Sequence, residues 1–244
     1  MNILFLMGGD KLQNANDNFP IYMTEINQKM ILEILMDFTK SINPSRAIFC
    51  IKDEDIKNFY LDEIIKRKIE DAIIINIKGE TKGAVCTALL SSEYIDNEDE
   101  LLILAINDFT DKNWRTIIDY FRTGNFDCGI VSFNSIHPRY SFAKLDKNNE
   151  VEEITEKKPS SNNALVSFYY FKSGREYIKC SKNVIRKDTA IKDSFYISQV
   201  INEMILEQKK IGLYRIENSE FHPLKTEAQL AQYILELKKQ TELK

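Results

Sequence analysis

The sequence predicts an α/β fold: a Rossmann-like, mainly parallel sheet covered by helices on both faces, with a β-hairpin elaboration in the second half. Three observations predict it. Short apolar runs alternate with segments of helical periodicity as far as residue 135. Those runs are apolar throughout, without polar alternation, which suits strands buried on both faces. Beyond residue 135 the alternation yields to paired runs around a short polar turn.

Each element follows from its own residues. Residues 2–7 (NILFLM) read as a buried strand, and Ile31, Ile34, Leu35 and Phe38 then recur at helical spacing. AIFCIK at 47–52 is the next strand, and Ile56, Phe59, Tyr60 and Ile64 mark a helix. DAIIINIK at 71–78 is a third strand, and GAVCTALLSSEYI at 83–95 is a helix without internal breakers. LLILAI at 101–106, a helix around 113–122 and GIVSFNS at 129–135 complete the alternation. Strands separated by helices of this length are joined by βαβ crossovers and so lie mostly parallel. YSFAKLD and VEEITEK then flank Lys147, Asn148 and Asn149 as a hairpin. ALVSFYYF at 164–171 is a strand, 195–210 an amphipathic helix and GLYRIE at 212–217 a further strand. The last helix opens on Thr226 with Gln229 three residues on, and Leu230, Ala231, Ile234 and Leu237 line its buried face. No linker, repeat or low-complexity segment interrupts this, so residues 1–244 read as one domain.

Composition narrows the function. Of 244 residues, 43% are hydrophobic and 29% charged, which is ordinary for a globular chain. The 33 Lys+Arg against 37 Asp+Glu leave a net charge of −4, which argues against a nucleic-acid binder. The longest apolar runs fall short of the roughly 20 residues a membrane span needs. The opening MNILFLMGGD has no basic segment and no cleavage site, so no signal peptide is expected. Cys50, Cys86, Cys128 and Cys180 form no CxxC pair, and three lie in apolar runs, as in a reduced, cytoplasmic protein.

Four stretches are candidates for chemistry. Gly8 and Gly9 follow the first strand and are two of only eight glycines, so their adjacency is informative. A glycine pair there either lets backbone N–H groups approach a phosphate or base, or simply makes a tight turn. Asn107-Asp108 ends the fourth strand, where ligands bind in open α/β sheets. Asp108 is either a Mg²⁺ ligand or a turn residue. Glu156-Lys157-Lys158 either neutralises a phosphate or is a solvated charge run. His137 and His222 sit beside prolines with no zinc spacing. There is no G-x-S-x-G and no P-loop.

Taken in order, several segments resemble the sugar-phosphate nucleotidyltransferases of the glucose-1-phosphate thymidylyltransferase type. NILFLMGG resembles their opening strand and nucleotide loop. Phe19-Pro20, Glu25-Ile26-Asn27 and Lys29 resemble an F-P-K-P-L-x-E-V-N-G-K segment, and residues 83–87 resemble G-A-A-C-T. Residues 105–108 resemble the N-S-D segment that carries a magnesium ligand. Residues 135–142, Glu156-Lys157, Tyr170-Phe171 and residues 195–204 follow in the expected order.

This resemblance implies a nucleotide-binding half at 1–135 and an acceptor-binding half at 136–244. It implies that Gly8 and Gly9 contact the nucleotide, that Gly83 packs against the base and that Thr81 reads its edge. Asp108 is the implied Mg²⁺ ligand, and Glu156 and Lys157 the implied contacts to a sugar and its phosphate. The implied partners are an NTP and a phosphorylated acceptor, with pyrophosphate released, in capsular or surface polysaccharide synthesis. Assembly into a homo-oligomer stays open.

The departures fall on the cations. Lys11 and Gln13 stand at the second glycine and the arginine of the G-x-G-x-R signature. Ile21 and Tyr22 replace the lysine and proline of F-P-K-P. The segment 221–226 offers no clear second metal carboxylate. The nearest substitutes in sequence are Lys11 and Lys29, and an enzyme needs Lys11 as a catalytic cation at the triphosphate. Each missing preorganised charge costs on the order of 10²–10³ in rate. A non-catalytic sensor or partner subunit is therefore the competing expectation. A glycosyltransferase would need an Asp-x-Asp motif, and residues 96–99 and 108–111 do not supply one.

Overall fold

The structure, a computed structural model, describes residues 1–8, 13–14, 17–26, 28–224 and 226–242. In chain order the main strands are β1 (Asn2–Met7), β2 (Arg46–Lys52), β3 (Ile73–Ile77), β4 (Leu101–Ala105), β5 (Cys128–Asn134), β6 (Ser141–Leu145), β7 (Val151–Glu156), β8 (Asn163–Phe171) and β9 (Ile211–Arg215). The helices are α1 (Ile31–Thr39), α2 (Asp53–Phe59), α3 (Leu61–Lys68), α4 (Ala84–Leu89), α5 (Ser92–Ile95), α6 (Trp114–Thr123), α7 (Gly174–Arg186), α8 (Ile197–Leu206) and α9 (Glu227–Glu242).

The nine strands make one mixed sheet. β1 pairs in parallel with β2 on one side and β4 on the other, and β2 carries β3 in parallel. The chain thus lays strands outward from β1 and returns to add β4 on its free side, which creates a topological switch point between β1 and β4. Antiparallel β8 follows. One edge of β8 pairs with β4 at Phe168–Phe171 and meets β6 at Ala164, and its other edge pairs with β5. β5 holds β9 in parallel, and β6 and β7 form the expected hairpin. Its turn is closed by Asp146, whose carboxylate accepts the Asn148 and Glu150 N–H groups, with Asn149 left-handed.

Both faces of the central strands are buried, as their unbroken apolar sequence requires. Ile3, Phe5 and Met7 pack with α1, α6 and α9 on one face, while Leu4, Ile48 and Cys50 pack with α4, α7 and α8 on the other. Phe5 and Phe49 are register partners, and their rings stack at 4.6 Å. Each such buried side chain contributes about 1.5–3 kcal/mol. The thiols of Cys50, Cys128 and Cys180 are free and buried, and that of Cys86 is free and half-buried.

Four sequence expectations need correction. The helix expected through Ile56 and Ile64 is two helices, because Tyr60 is left-handed (φ +52°) and breaks the ladder. The segment 83–95 is also two helices, α4 and α5, and the Ser91 and Ser92 hydroxyls bond back to backbone carbonyls at the break. On α9, Thr226 does accept the Gln229 N–H at 3.3 Å, but Ala231 is exposed and Tyr233 takes its place in the core. Helix α7 was not expected, because Ser181 stands on its buried face and interrupts the apolar period. The signal for it was Ser173 with Glu176 three residues on, and the Ser173 hydroxyl accepts the Glu176 N–H.

Candidate active site

A cleft of about 600 Å³ opens at the carboxyl ends of β1 and β4, over the switch point. Met7 and Gly8 leave β1 into it, and Ala105 and Asn107 leave β4. Ser167 and Tyr169 of β8 form its floor, and the hairpin ends and the start of α8 its far wall. Gly8, Thr81, Gly83, Glu156 and Lys157 are thus brought together around one cavity, while Asp108 is not among its lining residues. Gly9 and Lys11 lie outside the described residues.

The hairpin wall is polar and tightly bonded. The Glu156 carboxylate at the end of β7 accepts the Ser141 hydroxyl at 2.5 Å and the Ser198 hydroxyl at 2.9 Å. Lys157 follows with left-handed backbone (φ +54°), and its N–H donates to the Tyr140 carbonyl at 3.0 Å. Its ammonium donates to the Tyr196 hydroxyl at 2.9 Å and lies 4.8 Å from that ring's centre. Tyr196 caps α8, its N–H bound by the Gln199 side chain at 2.7 Å, so the phenol that holds Lys157 is itself anchored. Arg139 supplies a second cation at the rim. Burial pushes the Tyr169 phenol well above its usual range, and the Glu156 and Asp108 charges add to the shift, so it remains a donor. Lys158 lies outside the cleft. Strand alternation is not the reason, since β7 ends at Glu156; the turn at Lys157 separates the two lysines.

The opposite wall carries no such cations among its described residues. Ile21 lies in the apolar core at 4% exposure while still reaching the cleft. The buried Tyr22 hydroxyl donates to Asp55 at 3.0 Å, and burial, then Asp55, push the Tyr22 phenol far up. Lys29 is turned away and donates to Asp37 at 2.9 Å. The Thr81 and Thr87 hydroxyls meet at 2.6 Å, and Thr87 also donates to the Gly83 carbonyl at 3.2 Å. Gly83 needs to be glycine: its φ is +93°, and a Cβ would sit 2.6 Å from the Phe195 carbonyl oxygen. That contact carries Val85 N–H to the Phe195 carbonyl and Phe195 N–H to the Lys82 carbonyl, so Gly83 ties this wall to the start of α8. Gly83 lines the cleft, and the side where a Cβ would stand is closed by the Phe195 backbone.

At the switch point the expected and observed residues differ. Asp108 is 2% exposed, and its two oxygens accept the Ser167 N–H at 2.9 Å and the Ser167 hydroxyl at 3.0 Å. It also begins a short antiparallel pair, Asp108–Thr110 with Phe221–Pro223, which holds it in the scaffold. The residue that lines the cleft at this level is Asn107. Its side-chain oxygen is buried with no hydrogen-bond partner among the described residues, a state that costs about 1–3 kcal/mol. Asp108 is thus held against Ser167 in the scaffold, each of its oxygens accepting one bond, and among the described residues no three His, Cys, Asp or Glu side chains group together. The sequence missed Asn107 because its neighbour was the carboxylate, and the turn at Ile106 and Asn107, which follows the end of β4 at Ala105, left no strand alternation to read.

A cleft over the switch point of an open α/β sheet, with a glycine exit from its first strand on one wall and a bonded Glu-Lys pair on another, lies where such sheets bind their ligands. The sequence model for the nucleotidyl transferase family matches residues 16–212, and the chain belongs to that family. Its fold is similar to that of a nucleoside-diphosphate-sugar pyrophosphorylase from Vibrio cholerae RC9, with TM-score 0.77 and 17% identity over 96% of this chain and 99% of that one. It is also similar to a UDP-glucose pyrophosphorylase complexed with UDP-glucose (TM-score 0.76, 11% identity, 98% of each chain). A third likeness is HddC from Yersinia pseudotuberculosis complexed with GMP-PN (TM-score 0.66, 15% identity, 97% and 99% covered). At these identities the likeness is one of fold. No curated protein matches the chain. No helix among the described residues is long and apolar enough to cross a membrane.

Proposed function

We propose that this protein joins a nucleotide from an NTP to a phosphorylated small molecule, a sugar phosphate, and releases pyrophosphate, in the synthesis of a surface polysaccharide. The observation that carries this reading is the Glu156–Lys157 pair, immobilised by Ser141, Ser198 and Tyr196 on the wall facing the Gly8 strand exit. An acceptor phosphate oxygen attacks the α-phosphorus, the bond from that phosphorus to the bridging oxygen breaks, and pyrophosphate departs. Such a reaction asks for positioning and charge neutralisation more than covalent help. Lys157 holds the acceptor phosphate, Glu156 accepts a hydroxyl of the acceptor, and Gly8 and Thr81 border the nucleoside. The test is to incubate the protein with each NTP, magnesium and a panel of sugar phosphates and to follow pyrophosphate. Release that requires one NTP and one acceptor supports the reading; none with any pair overturns it.

Ile21 favours a second reading, a nucleotide-sugar-binding partner without turnover, because an aliphatic core residue stands where the resemblance expects a lysine. Lys11 separates the two. In an enzyme Lys11→Ala lowers turnover at least about 10²-fold, the scale of one preorganised charge. In a binding protein it weakens nucleotide binding, and no pyrophosphate appears from either form.

A further inference from the structure

Tyr196 lines the cleft where α8 begins, and its phenol oxygen accepts from the Lys157 ammonium at 2.9 Å. An ammonium has no lone pair, so the direction of that bond is fixed. The phenol hydrogen therefore points elsewhere, and no described residue accepts it. Two of the three ammonium hydrogens are likewise uncommitted among the described residues. The Ser141 and Ser198 hydroxyls on the same wall give their hydrogens to Glu156 instead. Lys157 is exposed and Tyr196 half-buried, and the bond between them is open to solvent. The pair thus presents three donor hydrogens on two adjacent atoms. The ammonium also polarises the phenol and makes its O–H a stronger donor. A phosphate, made of acceptors and negatively charged, matches this set, whereas a neutral hydroxyl leaves the charge uncompensated.

We infer that Tyr196 is a phosphate-binding residue, whose hydroxyl donates to the same acceptor phosphate that the Lys157 ammonium holds. This rests on the sugar-phosphate reading above and adds a neutral donor to the cation which that reading assigns to the phosphate. Donors 2.9 Å apart can share one phosphate oxygen or take two oxygens of the same group. Gln199 acts here as a positioning residue, since its side chain accepts the Tyr196 N–H at 2.7 Å and fixes where the ring starts.

The test compares wild type, Tyr196→Phe, Lys157→Met and the double variant in melting and in affinity for the four NTPs and a panel of hexose 1-phosphates. Phenylalanine keeps the ring beside Lys157 and the backbone bond to Gln199, and removes only the hydroxyl. Tyr196→Phe should lower hexose 1-phosphate affinity about 10- to 100-fold, the range of a hydrogen bond to a charged group. The factor should be the same for every hexose bound, with NTP affinity unchanged. In the Lys157→Met background a several-fold fall should remain, because the hydroxyl touches the phosphate itself. No fall in that background means that Tyr196 only aims Lys157, and a rise in affinity on Tyr196→Phe means that it draws Lys157 away; either overturns the inference. So does a loss that varies with the hexose epimer, a loss confined to the NTP, or lowered melting with hexose 1-phosphate affinity intact. A wild type that binds an NTP but no hexose 1-phosphate overturns the sugar-phosphate reading itself, and this inference with it.

Discussion

On the hairpin wall of the cleft, Glu156 is held by two serine hydroxyls and Lys157 by a capped tyrosine. Across from it, the segment after Pro20 offers Ile21, packed in the core, and Tyr22, bonded to a buried aspartate. The lysine and arginine that line the cleft among the described residues, Lys157 and Arg139, both stand on the hairpin side. The difference teaches that the two walls of one site can diverge separately. The hairpin wall presents bonded polar side chains, while the described residues of the other present packed Ile21 and paired Tyr22. On the proposed function, triphosphate neutralisation is the part assigned to Lys11, outside the described residues.

The comparison can be broken most forcefully at the joint between the walls. Gly83→Ala places a Cβ against the Phe195 backbone at a φ that alanine resists. A loss of about 2–5 kcal/mol is expected in chemical denaturation. An unchanged midpoint would mean the walls are not tied there. Lys157→Ala comes next. A fall of about 10²-fold in kcat/KM for the acceptor is expected, with Lys158→Ala near neutral. Equal losses at both lysines would reduce the wall to a diffuse basic surface.

Asp108→Asn sharpens the picture at the floor. Both Asp108 oxygens accept from Ser167, so an amide nitrogen there faces a donor, and about 1–3 kcal/mol of stability should go. An unaltered melting curve with magnesium-dependent turnover abolished would instead restore Asp108 as a metal ligand. The smallest effect is expected at Lys29. Burial alone would raise the Asp37 carboxyl, but Lys40, Lys29 and Lys68 more than reverse this and hold it well below the usual range. Lys29→Ala should leave turnover unchanged. Asp37→Asn should destabilise at neutral pH, and the two proteins should converge as pH falls below about 4, where the unfolded aspartate takes up its proton. A turnover loss at Lys29 would put a cation back on the poor wall.

The sheet was legible because strands buried on both faces leave unbroken apolar runs, as in 2–7 and 101–106. α7 was not, since Ser181 on its inner face hides the period. The breaks at Tyr60 and Ser91 follow from single-residue backbone choices that no composition window registers. In the site, Glu156 and Lys157 were legible as a pair at a hairpin end. That Asn107 and not Asp108 lines the cleft was not, because the turn at 106–107 decides which of the two neighbours faces it.

The left-handed turn at Lys157 bears on how this chain drifts under mutation. A lysine in that conformation forfeits about 1–2 kcal/mol that glycine would not. A library randomised at this codon and sorted only for thermal resistance should therefore enrich glycine and asparagine. Sorted for sugar-nucleotide output, it should return to lysine. On the proposed function, the residue marks a place where selection for turnover and selection for durability pull apart.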